Sequence, residues 1–132
     1  MTMQETENDI LKDLEDLGDT ISQYTFLIAC AGECAPFNES LRTEGNLVRE
    51  CQVRTWLYVQ FQDGKLRFET DSEALIVKGA MALLQELYNG RSLEEVEGYH
   101  CRLLDSENFI RHFNMEQLKG IRAIIDKLER LA

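Results

Sequence analysis

The chain is 132 residues long, 44% hydrophobic and 29% charged, with a formal net charge of -10. Those values describe one ordinary globular domain, large enough to bury a core without staples, and exclude a disordered chain. The acidic excess argues against phosphate backbones as partners and favours a basic protein partner or simple solubility, and no run of about 18 apolar residues offers a membrane span.

Ile10, Leu11, Leu14 and Leu17 recur at helical spacing, which predicts a short amphipathic helix over roughly residues 6–17, ended by Gly18. Asp19 or Thr20 opens a second helix, with Ile21, Tyr24, Leu27, Ile28 and Ala31 on one side and Gly32 at its close. From Glu33 to Asn46 the periodicity is lost among Pro36, Asn38, Ser40, Thr43, Gly45 and Asn46. A loop of about 14 residues inside a compact domain is usually functional or disordered, and this one leads toward Cys51.

Beyond Cys51, Val53, Thr55, Leu57, Val59 and Phe61 alternate with Arg54, Trp56, Tyr58 and Gln60, the period of a half-buried strand. Asp63-Gly64 is a two-residue hairpin turn of the kind that needs positive φ. It sets Phe61 opposite Leu66, Val59 opposite Phe68 and Leu57 opposite Thr70, all on one face. Trp56 and Tyr58 fall on the other face, as a second small core or a docking surface. Leu47-Val48 is a candidate third strand.

Asp71 or Ser72 is expected to cap a long helix. Leu75, Ile76, Val77, Ala80, Met81, Leu83, Leu84 and Leu87 cover most of its circumference, so it should be buried and lie across the hairpin's apolar face. Asn89-Gly90 stops it. Ser92-Leu93-Glu94-Glu95 is a capping box for a short helix, Asp105 or Ser106 starts another, and Asn114 caps the last, whose stripe is Leu118, Ile121, Ile124, Ile125, Leu128 and Leu131. The fold class is α+β: a small antiparallel β-sheet packed with helices, in one domain over residues 1–132.

The four cysteines are Cys30, Cys34, Cys51 and Cys101. Met1–Glu7 is polar and acidic, unlike a secretory signal, so the expected setting is a reducing cytoplasm with free thiols. Cys30 and Cys34 form C-x3-C at a helix end, which reads as a resolving thiol pair or half a zinc set. Cys30 also lies near the helix's apolar side, where it is plain core, and Cys34 offers a disulfide with Cys51 on oxidation. His100 and His112 invite a Cys–His reading, but no third orienting group or oxyanion signature accompanies them, which disfavours a hydrolase. Glu94-Glu95-Val96-Glu97 is a solvated face or a match for a partner's basic patch. Cys51 itself opens a strand after a loop, where a thiol can reach another protein's active site. Arg49 and Arg54 flank it and would favour the thiolate, whereas Glu50 would oppose it.

Two segments carry a resemblance. Cys51-Gln52-x-x-x-Trp56 is similar to the Gly-Cys-Gln-Ser-x-Val-Trp of the SufE/CsdE family of sulfur-acceptor proteins. Asp71-Ser72-Glu73-Ala74-Leu75-Ile76-Val77-Lys78-Gly79 is similar, more specifically, to that family's Asp-Ser-Asp/Glu-Ala-x-Ile-Val-Lys-Gly. The order of elements matches over essentially the whole chain. The resemblance implies a SufE/IscU-like fold and a persulfide carrier. It implies a pyridoxal-phosphate-dependent cysteine desulfurase (SufS/CsdA-like) as the partner to be stimulated, and delivery of sulfur to iron–sulfur cluster assembly, through a scaffold protein. Cys51 matches the family's persulfide-carrying cysteine, and no cofactor or metal of the acceptor's own is implied. Glu50 stands where the family usually has Gly, Val53 where it has Ser, and Gln117 where its C-terminal Ser-Arg-x-x-Gly-Leu has Arg. The alternatives are a thiol redox or metal-binding protein using Cys30, Cys34 and Cys51, and an interaction module in which Cys51 is inert.

Overall fold

The structure, a computed structural model, describes residues 1–131. Its first helix, α1 (Met3–Leu17), is opened by Thr2. The Thr2 hydroxyl accepts from the Glu5 N–H at 3.1 Å, and the Glu5 carboxylate accepts from the Thr2 N–H at 2.9 Å. This reciprocal cap starts the helix before residue 6, because apolar spacing marks the buried face of a helix and not its first turn. The second helix, α2 (Thr20–Glu33), is capped by Asp19 and runs one residue past Gly32.

Strands β1 (Thr55–Gln62) and β2 (Lys65–Ser72) form an antiparallel hairpin. Asp63 at φ 53° and Gly64 at φ 77° supply the two positive angles that the turn requires. Phe61 faces Leu66, Val59 faces Phe68 and Leu57 faces Thr70, the register expected from the turn. Leu57, Leu66, Phe68 and Thr70 are buried, while Val59 and Phe61 are half-buried. The third strand expected at Leu47-Val48 does not form. Leu47 makes a single bridge to Trp56, and the Val48 N–H donates to the Thr55 carbonyl at 2.8 Å. The chain then turns, with the Cys51 N–H on the Val48 carbonyl at 3.1 Å, and leaves the sheet edge.

The central helix, α3 (Leu75–Tyr88), buries residues on nearly all sides and lies between β2 and α2. Gly79 is where it meets α2: a Cβ there would overlap the Leu27 carbonyl oxygen. The expected cap at Asp71 or Ser72 is not what starts this helix. Both residues finish β2, and Ala74 occupies the cap position without a side-chain bond. Asp71 is drawn away to Arg42 and Lys78, and the Ser72 hydroxyl accepts from the Ala74 N–H at 3.2 Å across the strand-to-helix corner.

Two short helices follow, α4 (Leu93–Val96) and α5 (Glu107–Ile110), and then α6 (Met115–Glu129). Ser92 with Glu95, and Asn114 with Gln117, form capping boxes for α4 and α6. Ile121, Ile124, Ile125 and Leu128 of α6 join the core around α3. The architecture is α+β, with a two-stranded antiparallel sheet among six α-helices in the described residues. No helix among them is long and apolar enough to cross a membrane.

Candidate functional site

The loop between α2 and β1 is held at its middle by one arginine. Arg42 lies over the rings of Trp56 at 4.8 Å and Phe37 at 5.3 Å, and its guanidinium pairs with Glu39 and Asp71. Two 3-10 turns, Glu39–Leu41 and Glu44–Asn46, take up the slack on either side. Trp56 is thereby buried, at 7% exposure, so the face of β1 away from α3 is a small second core. The loop delivers Cys51 to the start of β1.

Cys51 is half-buried. Its sulfur lies against the backbone of Gly120 in α6, so close that a Cβ at position 120 would overlap it. Glycine in a helix interior costs roughly 1 kcal/mol relative to alanine, and here the missing side chain is the space that the thiol occupies. A cavity of about 180 Å³ opens beside the sulfur, lined by Val53, Thr55, Ala74, Val77, Asn114 and Gln117. A second, more open depression of about 360 Å³ lies on its other side, toward Val48, Arg49 and Arg54.

Burial raises the Cys51 thiol above its ordinary value, Glu50 pushes it the same way, and a hydrogen bond from Thr55 opposes them. The flanking arginines do not supply the expected offset. Arg54 is turned onto Glu73 at 2.9 Å and onto the Trp56 ring, and Arg49 is exposed. Cys51 therefore rests as a protonated thiol.

The two sequence segments flanking this point are cross-strand neighbours. Thr55 pairs with Ser72 and Trp56 with Asp71 in the hairpin ladder. The Thr55 and Ser72 hydroxyls, both buried, are hydrogen-bonded at 2.8 Å. The Glu73 N–H donates to the Arg54 carbonyl at 3.0 Å, and the two side chains pair. The Asp-Ser-Glu run thus underpins the Cys-Gln run through the Thr55–Ser72 hydroxyl pair, with Thr55 lining the cavity beside the sulfur. The sequence placed Thr55 in a strand and Ser72 at a helix cap, with no role for either at the thiol, and did not single out Arg42 or the contact of Gly120 with the thiol. The visible signal for the last was a glycine in the middle of an amphipathic helix. Gln117, expected at an arginine position, spends its side chain on the α6 cap, accepting from the Asn114 N–H at 2.9 Å.

The other thiols lie apart from this cavity. Cys30 is buried in α2, and burial lifts its thiol to about 11. Cys34 bonds the Gln85 side chain on α3 at 3.2 Å. Cys101 is buried beside Glu7, also at 3.2 Å. All four are free thiols, and no three potential metal ligands gather among the described residues. His112 is engaged with Gln23 at 2.9 Å, and His100 sits by Glu129 and Asp105. Neither histidine lines the cavities at Cys51.

Fold and site define a class: a small α+β protein whose half-buried thiol sits where a tethered loop enters a helix-covered hairpin. Residues 8–132 match the family model described as SufE, Fe-S metabolism associated domain, and the chain belongs to that family. A relative named cysteine desulfuration protein SufE, from Wigglesworthia glossinidia brevipalpis, is 28% identical over 113 residues, covering 82% of this chain and 78% of the relative. The solution structure of a hypothetical protein from Thermus thermophilus superposes with a TM-score of 0.77 at 22% identity, covering 94% of this chain and 90% of that one. That likeness supports the α+β fold.

Proposed function

We propose that this chain, as a single SufE-like domain, is a persulfide carrier with Cys51 as the acceptor. It receives sulfur from a pyridoxal-phosphate-dependent cysteine desulfurase of the SufS/CsdA kind, stimulates that enzyme by clearing its persulfide, and passes the sulfur to iron–sulfur cluster assembly. The observation that carries the reading is the seat of Cys51, a thiol at a loop–strand junction with a small cavity beside it. The family described as Fe–S metabolism associated and the relative named for cysteine desulfuration support the same chemistry.

The step balances without an outside oxidant. The Cys51 thiolate attacks the terminal sulfur of the donor's persulfide. The donor's S–S bond breaks, its cysteine leaves as thiolate, and the new S–S bond forms on Cys51. The proton lost by Cys51 goes to the departing thiolate or to solvent. A cavity of about 180 Å³ is large enough to shelter one added sulfur atom from solvent thiols. Because burial holds Cys51 protonated, the reaction calls for deprotonation within the docked complex.

The test is to incubate the protein with a cysteine desulfurase, pyridoxal phosphate and cysteine, then to read intact and peptide masses. The expected result is a gain of about 32 Da, one sulfur, on the Cys51 peptide. No gain there, or equal labelling of a Cys51→Ser variant, would sink the proposal.

A further inference from the structure

The net charge of -10 hides a strong segregation. Residues 1–40 hold nine acidic side chains against a single basic one, Lys12. Of the 14 lysines and arginines, seven pair with an acidic side chain within 4.0 Å. Among the described residues the other seven hold no such partner, and five of those gather on one surface. Arg49, Lys119, Arg122, Lys127 and Arg130 are all exposed and border two connected grooves of about 260 and 610 Å³ that share Glu50, Ala123 and Lys127. Glu50 and Asp126 are the acidic residues in those grooves. Glu50 is the residue next to Cys51.

In a chain with 24 acidic residues against 14 basic ones, an unpaired cluster of cations is not what chance pairing would leave. Such a cluster repels itself and gains only when another molecule's carboxylates arrive. We propose that this basic face of α6, with Arg49, is the docking surface for an acidic patch on the sulfur-donor protein. It guides the donor's persulfide to Cys51, while the acidic stretch of residues 1–40 repels the wrong orientation. The net charge alone would favour a basic partner; the cations on this face of α6 select an acidic one. The proposal rests on reading Cys51 as a sulfur acceptor.

The experiment measures association of the full-length protein with an immobilised pyridoxal-phosphate-dependent cysteine desulfurase, in parallel with sulfur loading of Cys51. Wild-type association should slow about tenfold or more between roughly 50 and 300 mM salt, as steered encounters do. Reversing the helix charges (Lys119→Glu, Arg122→Glu, Lys127→Glu, Arg130→Glu) should slow low-salt association by about tenfold or more, and the matching glutamine set by less. Both sets should still load Cys51 fully at saturating desulfurase. Reversal on α1 (Asp9→Lys with Glu15→Lys) should not slow association. Circular dichroism checks the fold, and the glutamine set carries the test if the glutamate set misfolds.

Unchanged association of the reversed or neutralised variants, with Cys51 still loaded, would overturn the surface and leave the acceptor function standing. Loss of binding to phosphatidylserine vesicles by those variants, with desulfurase binding intact, would overturn it in favour of a membrane. No sulfur on Cys51 of the wild-type protein would overturn the function, and the surface with it.

Discussion

Cys51 is a thiol that burial keeps protonated, and its neighbours set how strongly. Its rate of alkylation by iodoacetamide should climb steeply up to 9.0, the ordinary thiol value, and go on rising past it, because only the thiolate reacts and its pKa is raised. A plateau below pH 8.5 would contradict the buried geometry. Thr55→Val removes the neighbouring hydroxyl that favours the thiolate and should slow alkylation further at fixed pH. Gly120→Ala works the other way. The new methyl overlaps only the sulfur closely, and that atom can rotate aside. Alanine also gains roughly 1 kcal/mol in helix propensity. Stability should therefore change by less than about 1 kcal/mol while alkylation of the displaced thiol speeds up. Urea titration and alkylation rates read the two effects separately.

Between elements, the close contacts are backbone contacts and do not give way. At Gly79→Ala the added methyl meets the Leu27 carbonyl, which the α2 ladder holds in place, so α2 and α3 must separate. The expected loss is about 1–3 kcal/mol, seen as a lower urea midpoint. The corner from β2 to α3 depends on Asp71. Burial would raise its carboxyl, but Arg42, the Ser72 N–H and Lys78 outweigh burial and hold it below its ordinary 3.8. A depressed carboxylate stabilises the fold at pH above its unfolded value, and that contribution is lost as pH falls through the folded value. Asp71→Asn should therefore lower stability at pH 7 and flatten the acid limb of a stability–pH curve below about pH 4. A variant with an unchanged acid limb would remove Asp71 from the corner's energetics.

Across the whole molecule, one buried carboxylate ties the chain's beginning to its last third. Glu7 is fully buried and accepts from the Tyr99 hydroxyl at 2.6 Å, the Arg102 N–H at 2.8 Å and the Arg102 guanidinium at 3.2 Å. Glu7→Ala leaves the Tyr99 hydroxyl and the Arg102 N–H without that acceptor, while the partly exposed Arg102 guanidinium can turn to water, and it should cost about 1–3 kcal/mol by urea titration, the usual loss when shielded donors lose their acceptor. The Cys51 cavity lies elsewhere, so sulfur loading of whatever fraction stays folded should persist.

The parts of this protein legible in its sequence are those decided within a few residues. Asp63-Gly64 dictates the hairpin register because a two-residue turn leaves one way to pair the strands, and Asp19, Ser92 and Asn114 announce helix starts because a cap bonds only two or three residues ahead. The apolar circumference of α3 marks it as central for the same local reason. The features that the fold alone decides join distant residues. The Cys51 sulfur meets Gly120, Thr55 bonds Ser72, Asp71 leaves the helix cap for Arg42, and Arg54 turns from Cys51 to Glu73. Charge behaves likewise: the sequence sums to -10, but Lys119, Arg122, Lys127 and Arg130 gather on one surface only because the core takes the other side of α6. Side-chain identity is carried by the sequence; burial, electrostatic environment and proximity arise only when the chain closes on itself, and they set the reactivity of Cys51.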